Sequence, residues 1–362
     1  MRELTGSILT PAGWRRGRVR YDAHVHAVEG RPLAAPRPPY VVPGFVDLHV
    51  HGGGGADVMA GAAAVRRTAH LHVRHGTTAL VATTVTAPLE DIDAALAGIE
   101  AVRRAPAAGE ARVLGAHLEG PFLNPDKLGA QPPYARAPAP ALLRHWASIA
   151  RLLLLTYAPE CDRDELLPRA LESLGVRGQI GHSLADDATA RRALDAGIGV
   201  THLFNAMSGL DHRAPGVVGA ALAVAAHAEI IPDLVHVAPT ALLAARRAIP
   251  GLYGITDATA GAGMPAGAYP LGRYSAIKEG DVLRLADGRL AGSALTMDSA
   301  LKNLVALGLE LDEAVRRLST LPAARLGRSD LGRIARDARA DLVVLDEDLV
   351  VQRVVVGGDD AF

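Results

Sequence analysis

The sequence predicts an α/β fold, a (β/α)8 barrel beside a small β domain made from both chain ends, and three observations lead there. Short β-rich apolar runs recur with helical segments between them, the order required of parallel strands joined by crossover helices. There are about eight such runs, the number that closes a parallel barrel. The ends break the alternation: residues 1 to about 43 carry turn residues and short alternating stretches, and 340–357 read as two strands, ADLVVLD and VQRVVVGG. The barrel is therefore expected over 44–329 and the small β domain over 1–43 and 330–362.

In chain order, the expected barrel strands are Gly44–Val50, Ala79–Val85, Val113–Leu118, Leu152–Tyr157, Gly178–Gly181, Gly199–Leu203, Glu229–Val237 and Leu252–Thr256. The segments between them read as helices. Ala185–Ala196 is one, with Asp186 or Asp187 placed to cap its free N–H groups and Gly197 to stop it. Ala300–Leu307 and Leu311–Leu318 read as further helices beyond the last strand. Arg104–Gly109 and Pro132–Pro140 are Ala- and Pro-rich loops, and no short-period repeat stands out.

Composition removes several function classes. The 362 residues hold 38 Lys and Arg against 39 Asp and Glu, a net charge of -1, so no basic excess is available to hold a nucleic-acid backbone. One cysteine, Cys161 in APEC, allows neither a disulfide framework nor a thiolate zinc site and suits a reducing, cytoplasmic setting. The first residues, MRELTGSILTPAGWRRGRVR, place a Pro and a basic cluster where an export signal needs an apolar stretch. The longest uncharged apolar run, Gly216–Ala226, falls short of the roughly 20 residues that span a bilayer, so a soluble protein is expected.

Reactive side chains of such barrels sit where strands end. Here those positions hold His49 and His51, then His117 and Glu119, then His182, His202 and Asp257. On a strand, residues i and i+2 share a side, so His49 and His51 have the spacing of a chelate. The same spacing recurs in His24/His26 and His70/His72, where ordinary surface or hydrogen-bonded core histidines are the expected reading. Position distinguishes His49/His51, with Asp47 before the pair and the Gly52–Gly55 run after it. That run lacks a phosphate-loop ending or a dinucleotide fingerprint and reads as a flexible loop beside the site. Imidazole and carboxylate without thiolate suit zinc first, with iron, manganese or cobalt as alternatives.

The motifs PGFVDLHVHG, HLEGPFLNP, GHS, THLFNAMSGLDHRAPG, GITDAT and LAGSALTMD occur in this order. With them the chain, from about Pro43 to RADLVVLDEDL, resembles the N-acetylglucosamine-6-phosphate deacetylases of the amidohydrolase superfamily. The resemblance implies a TIM-like metal-dependent hydrolase barrel in which Glu119, His182 and His202 bind the principal metal. It further implies that His49 and His51 supply a second metal position, with Glu119 shared. Asp257 is then the catalytic acid and base. A metal lowers the pKa of its water to about 7, which makes hydroxide available at neutral pH to attack an amide carbonyl, while a carboxylate passes the proton to the departing amine.

Asn205, Ala206 and Arg213 match the positions that hold the sugar phosphate, the arginine reaching a neighbouring subunit, so a homodimer is implied. His236 matches a substrate-contacting histidine. Two departures bear on specificity. Gly129-Ala130 is followed by Gln131 where the family usually has a histidine that contacts the substrate carbonyl, and Gln131 is expected to donate to the developing oxyanion. Asp233-Leu234 replaces the usual Asp-Gly, adding bulk to the sugar pocket. The expected reaction is hydrolysis of N-acetyl-D-glucosamine 6-phosphate to D-glucosamine 6-phosphate and acetate. The alternatives are deacetylation of another N-acyl amino sugar on the same scaffold and a catalytically silent barrel, which retention of all six metal and acid–base residues disfavours. Cyclic-amide hydrolases typically bridge their metals with lysine, where this chain has Glu119.

Overall fold

TTALVATT, Thr77–Thr84, is built from β-branched and small residues, and all eight are buried, as a strand covered on both faces requires. The structure, a computed structural model, describes Met1–Phe362. Thr77–Thr84 is strand 2 of an eight-stranded sheet in which consecutive strands are neighbours. Strand 1 is Phe45–Val50, strand 3 Arg112–Glu119, strand 4 Leu152–Tyr157 and strand 5 Arg177–Ile180. Strand 6 is Gly199–Val200, strand 7 His227–Ile230 and strand 8 Gly251–Gly254. The seven strand pairings are parallel. After strand 8 the chain returns to strand 1: Asp257 N–H donates to His49 O at 3.0 Å and His51 N–H to Ala258 O at 2.8 Å. Buried Asp47 joins the same seam by accepting from the Thr256 hydroxyl at 2.6 Å.

Most expected strands lie within a few residues of the observed ones, and the exceptions have local causes. Strand 7 ends at Ile230 instead of Val237, because Pro232 offers no N–H to a ladder and Asp233 turns the chain by accepting from the N–H groups of Val235 at 2.9 Å and His236 at 2.8 Å. Strand 6 stops at Val200 instead of Leu203, because His202 at φ 25° and Phe204 at φ 82° leave the extended region. The helix expected over Ala185–Ala196 spans Asp187–Asp195, with the Asp186 carboxylate accepting from Thr189 N–H at 2.8 Å and Gly197 beyond its end at φ 83°. The later helices are Met297–Ala306 and Leu311–Leu318.

Both chain ends share one seven-stranded sheet. Leu342–Leu345 pairs antiparallel with Tyr40–Pro43, which pairs parallel with Arg2–Thr10, so the C-terminal segment is stitched to the N-terminal one. One face of this sheet gives Leu9, Val42, Val343 and Val354 to the barrel core; Ile8, Val19, Val41 and Leu342 form a second small core. Each such fully buried aliphatic side chain contributes about 1.5–3 kcal/mol.

The sequence reading did not foresee a four-stranded antiparallel sheet, Gly267–Leu271, Tyr274–Glu279, Val282–Arg284 and Leu290–Ser293, inserted after strand 8. Its Leu271, Ala276, Leu283, Leu285 and Ala291 close over Val85, just past strand 2, which seats the insert beside the mouth of the barrel. No helix is long and apolar enough to cross a membrane.

Candidate active site

Strand ends 1, 3, 5, 6 and 8 bring their polar residues to one mouth. His49 and His51 project to the same side of strand 1, with their Nε2 atoms 3.1 Å apart. Glu119, the last residue of strand 3, lies between this pair and a second one. Its Oε2 is 3.1 Å from His51 Nε2, and its Oε1 is 3.0 Å from His182 Nε2 and 2.9 Å from His202 Nε2. His182 Nε2 and His202 Nε2 are 3.2 Å apart. Beyond strand 8, Asp257 Oδ1 lies 3.2 Å from His51 Nε2 and 3.5 Å from His49 Nε2. Burial pushes the Asp257 carboxyl up, but His49 and His51 outweigh it and hold the group below the usual carboxylate range, hence ionised.

The outer ring nitrogens fix what the inner ones present. His51 Nδ1 faces Thr83 O at 3.0 Å, His182 Nδ1 faces Lys127 O at 3.0 Å, and His49 Nδ1 faces Glu229 Oε2 at 3.1 Å. A carbonyl or carboxylate only accepts, so each Nδ1 donates, and a ring that gives up its second proton to bind a metal turns the lone pair of Nε2 inward. His202 Nδ1 is buried without a hydrogen-bond partner, so only the other three rings are fixed in this way. In each pair the two Nε2 atoms stand near 3 Å, a contact that a cation held between them and Glu119 would relieve. Two donor groups fit a divalent metal in this way, His49/His51/Glu119 and Glu119/His182/His202, the ligand atoms of each within 4.8 Å of one another. In a third group, His49/His117/Glu229, the ligand atoms also lie within 4.8 Å of one another. Its His117 already bonds Leu48 O at 3.3 Å and Thr156 Oγ1 at 2.8 Å, so it is a hydrogen-bonded support under the site.

Above these groups opens a cavity of about 260 Å³. His51, Glu119, His182, His202 and Asp257 form its floor, while Ala130, Gln131, Asn205, Ala206 and His236 stand in its wall. His49 lies fully buried behind His51. His236 is on the loop beyond strand 7, six residues past Ile230, and not at the strand end the sequence suggested. It is held by Asp233, whose Oδ2 is 2.6 Å from His236 Nδ1. Burial lowers the His236 pKa, but Asp233 outweighs this and raises it.

Arg213 is exposed on the loop after strand 6 and does not line the pocket of its own chain. Gln131 lines the cavity, where its Nε2 donates to Glu119 Oε2 and its Oε1 accepts from Thr86 N–H at 2.7 Å. One N–H of the amide thereby braces the carboxylate, and the second is not engaged by these contacts. Leu234 does not line the cavity, so any effect of its bulk on the sugar pocket is indirect; it sits two residues before His236 at φ 63°, a left-handed position that favours glycine.

The Gly52–Gly55 run is a tight hairpin and not a flexible loop. Gly52 pairs with Asp57 and Gly53 with Ala56, while Gly54 and Gly55, at φ 63° and 80°, donate to Ala262 O and Ala260 O at 2.9 Å. The other two histidine pairs stay out of the site. His70 and His72 lie on the helix Ala62–Arg74, where i and i+2 face different ways: His70 is exposed and buried His72 braces Gly52 O at 3.0 Å. His26 is exposed beside Asp22, and His24 is exposed too.

Two residues near the site escaped the sequence reading. Glu229, completely buried on strand 7, holds His49 and accepts from Gln179 Nε2 at 2.7 Å; a lone carboxylate inside an apolar run was its signal. Arg289 lines the pocket from the unforeseen insert.

A barrel that gathers two imidazole pairs about one carboxylate at its strand ends has the architecture of the metal-dependent amidohydrolases, and the amidohydrolase family model matches residues 40–360. The chain belongs, within that class, to the N-acetylglucosamine-6-phosphate deacetylase family. It is 37% identical to the N-acetylglucosamine-6-phosphate deacetylase of Vibrio furnissii, over 93% of this chain and 86% of that protein. It is 39% identical to the N-acetylgalactosamine-6-phosphate deacetylase of Escherichia coli O157:H7, over 97% of this chain and 96% of that one. Among solved structures, N-acetylglucosamine-6-phosphate deacetylase of Thermotoga maritima matches with a TM-score of 0.91 at 32% identity, covering 100% of this chain and 99% of that one. A mutant of the Mycobacterium smegmatis enzyme in complex with N-acetyl-D-glucosamine-6-phosphate matches with a TM-score of 0.90 at 36% identity, covering 99% and 98%.

Proposed function

We propose that the protein hydrolyses N-acetyl-D-glucosamine 6-phosphate to D-glucosamine 6-phosphate and acetate. The observation that carries this reading is Asp257, ionised and 3.2 Å from His51, facing the same cavity as both imidazole pairs and their shared Glu119. Glu119, His182 and His202 would hold the principal metal, and His49 and His51 with Glu119 a second, zinc being the best fit to imidazole and carboxylate ligands. Bound there, a divalent metal polarises the amide carbonyl and makes water a stronger acid.

The chain's own groups do the rest. Asp257 takes a proton from the attacking water and returns it to the amide nitrogen, so the sugar departs as a neutral amine. Gln131 keeps Glu119 oriented, and Ala130 packs beside it in the wall. The Asn205–Ala206 turn and the imidazole of His236 face the sugar phosphate, and Arg213 reaches the neighbouring site of a homodimer. A chain with one cysteine suits the cytoplasm.

A second reading keeps the chemistry and changes the amino sugar. Leu234 at its left-handed position and the 39% identity to an N-acetylgalactosamine-6-phosphate deacetylase favour it. Acetate release from N-acetylglucosamine 6-phosphate, N-acetylgalactosamine 6-phosphate and unphosphorylated N-acetylglucosamine, with zinc supplied, separates the two. Fastest release from the first is expected. Fastest release from the second would favour the galacto epimer, and release from none would overturn both readings.

A further inference from the structure

Apart from its imidazoles, the pocket is lined by a single cationic side chain, and it belongs to Arg289. This residue leads into the last strand of the insert, Leu290–Ser293, whose Gly292 packs against Asp257. Two contacts aim it. Its Nε and Nη2 lie 2.8 and 2.6 Å from Asp287 Oδ2, and its Nη1 donates to Gly129 O. Gly129 is in turn packed against the floor and wall: a Cβ placed on it would stand 3.5 Å from Ala206 Cβ and 3.7 Å from His182 Cε1. The guanidinium therefore lies on the Ala206 side of the cavity.

A guanidinium has five N–H donors, and these contacts engage three, leaving one on each terminal nitrogen. Its side chain remains 51% exposed, so an arriving anion displaces water and no protein group. The floor itself carries the carboxylates of Glu119 and Asp257, which repel an anion until metal is bound. In an N-acetylhexosamine 6-phosphate the C2 amide and the C6 phosphate stand on opposite sides of the ring, so an amide set over Asp257 directs the phosphate away from that carboxylate. Arg213 of the same chain lies outside the cavity.

We propose that Arg289 is an in-chain contact for the substrate phosphate and sets the preference for phosphorylated over neutral sugars. The proposal rests on the substrate reading above. A planar fork with free donors on both terminal nitrogens suits two phosphate oxygens, whereas lysine would bring charge without the fork.

The test is steady-state kinetics of the wild type, Arg289→Ala and Arg289→Lys on N-acetylglucosamine 6-phosphate and N-acetylglucosamine, together with calorimetric binding of glucosamine 6-phosphate and glucosamine. Arg289→Ala is expected to lower the phosphorylated-to-neutral ratio of kcat/KM by about 10- to 100-fold, carried by KM, and to weaken glucosamine 6-phosphate binding by a similar factor. Arg289→Lys is expected to recover part of both. An equal fall in kcat for both sugars would overturn the proposal, since Arg289 would then only brace Gly129; so would an unchanged Kd for glucosamine 6-phosphate. A wild type that binds glucosamine 6-phosphate but hydrolyses neither sugar would overturn the substrate reading instead, and the binding arm would still decide the role of Arg289.

Discussion

The floor and the wall of the pocket are made by different means. Floor residues ride on barrel strand ends or within three residues of them, buried and braced from behind by Glu229, Thr83 and Lys127. Wall residues come from loops and from the inserted sheet: Gln131 after strand 3, His236 six residues past strand 7 and Arg289 in the insert. Chemistry thus depends on the part of the fold that varies least in position, and selectivity on parts that can change without disturbing the barrel.

That division ranks the effects of substitution. Glu119→Gln touches both donor groups at once and is expected to abolish metal binding and turnover together; metal analysis beside an acetate assay checks this. Asp257→Asn is expected to lower kcat by about 10²- to 10⁴-fold while metal content stays the same. Retained turnover would remove it as acid and base. Glu229→Gln weakens the brace on His49 and is expected to cost about 10- to 100-fold in metal affinity at the His49/His51 position, read by zinc titration. Leu234→Gly, on the turn that carries His236 into the wall, is expected to alter the gluco-to-galacto ratio of kcat/KM by no more than about tenfold and to leave kcat on the better substrate near wild type. A large kcat loss there would place Leu234 with the floor.

The floor was legible in the sequence because its signals are short-range. His49 and His51 share a strand face by their spacing alone, and a histidine or carboxylate that closes an apolar run announces a strand end. The wall was less so. LVHVA is apolar and reads as part of strand 7, yet Pro232 and the Asp233 turn end the ladder before His236. The contacts that hold Gln131 in the wall, to Glu119 and the Thr86 N–H, are 12 and 45 residues away in the chain, beyond any local pattern. Arg289 sits on a sheet whose short strands carry the alternation of a half-exposed surface, seen in Tyr274–Glu279, and not the apolar runs that mark the barrel. The glycine run is held the same way, since the N–H groups of Gly54 and Gly55 donate to the distant carbonyls of Ala262 and Ala260.

The shared carboxylate is tested most directly by counting metal ions per chain in the zinc-loaded wild type, in the double substitution His49→Asn with His51→Asn, and in His182→Asn with His202→Asn. About two ions are expected in the wild type and about one in each double variant, with acetate release lost when the His182/His202 pair is removed. Full metal content in either double variant, or full acetate release from metal-free wild type, would contradict a site in which two imidazole pairs meet at Glu119.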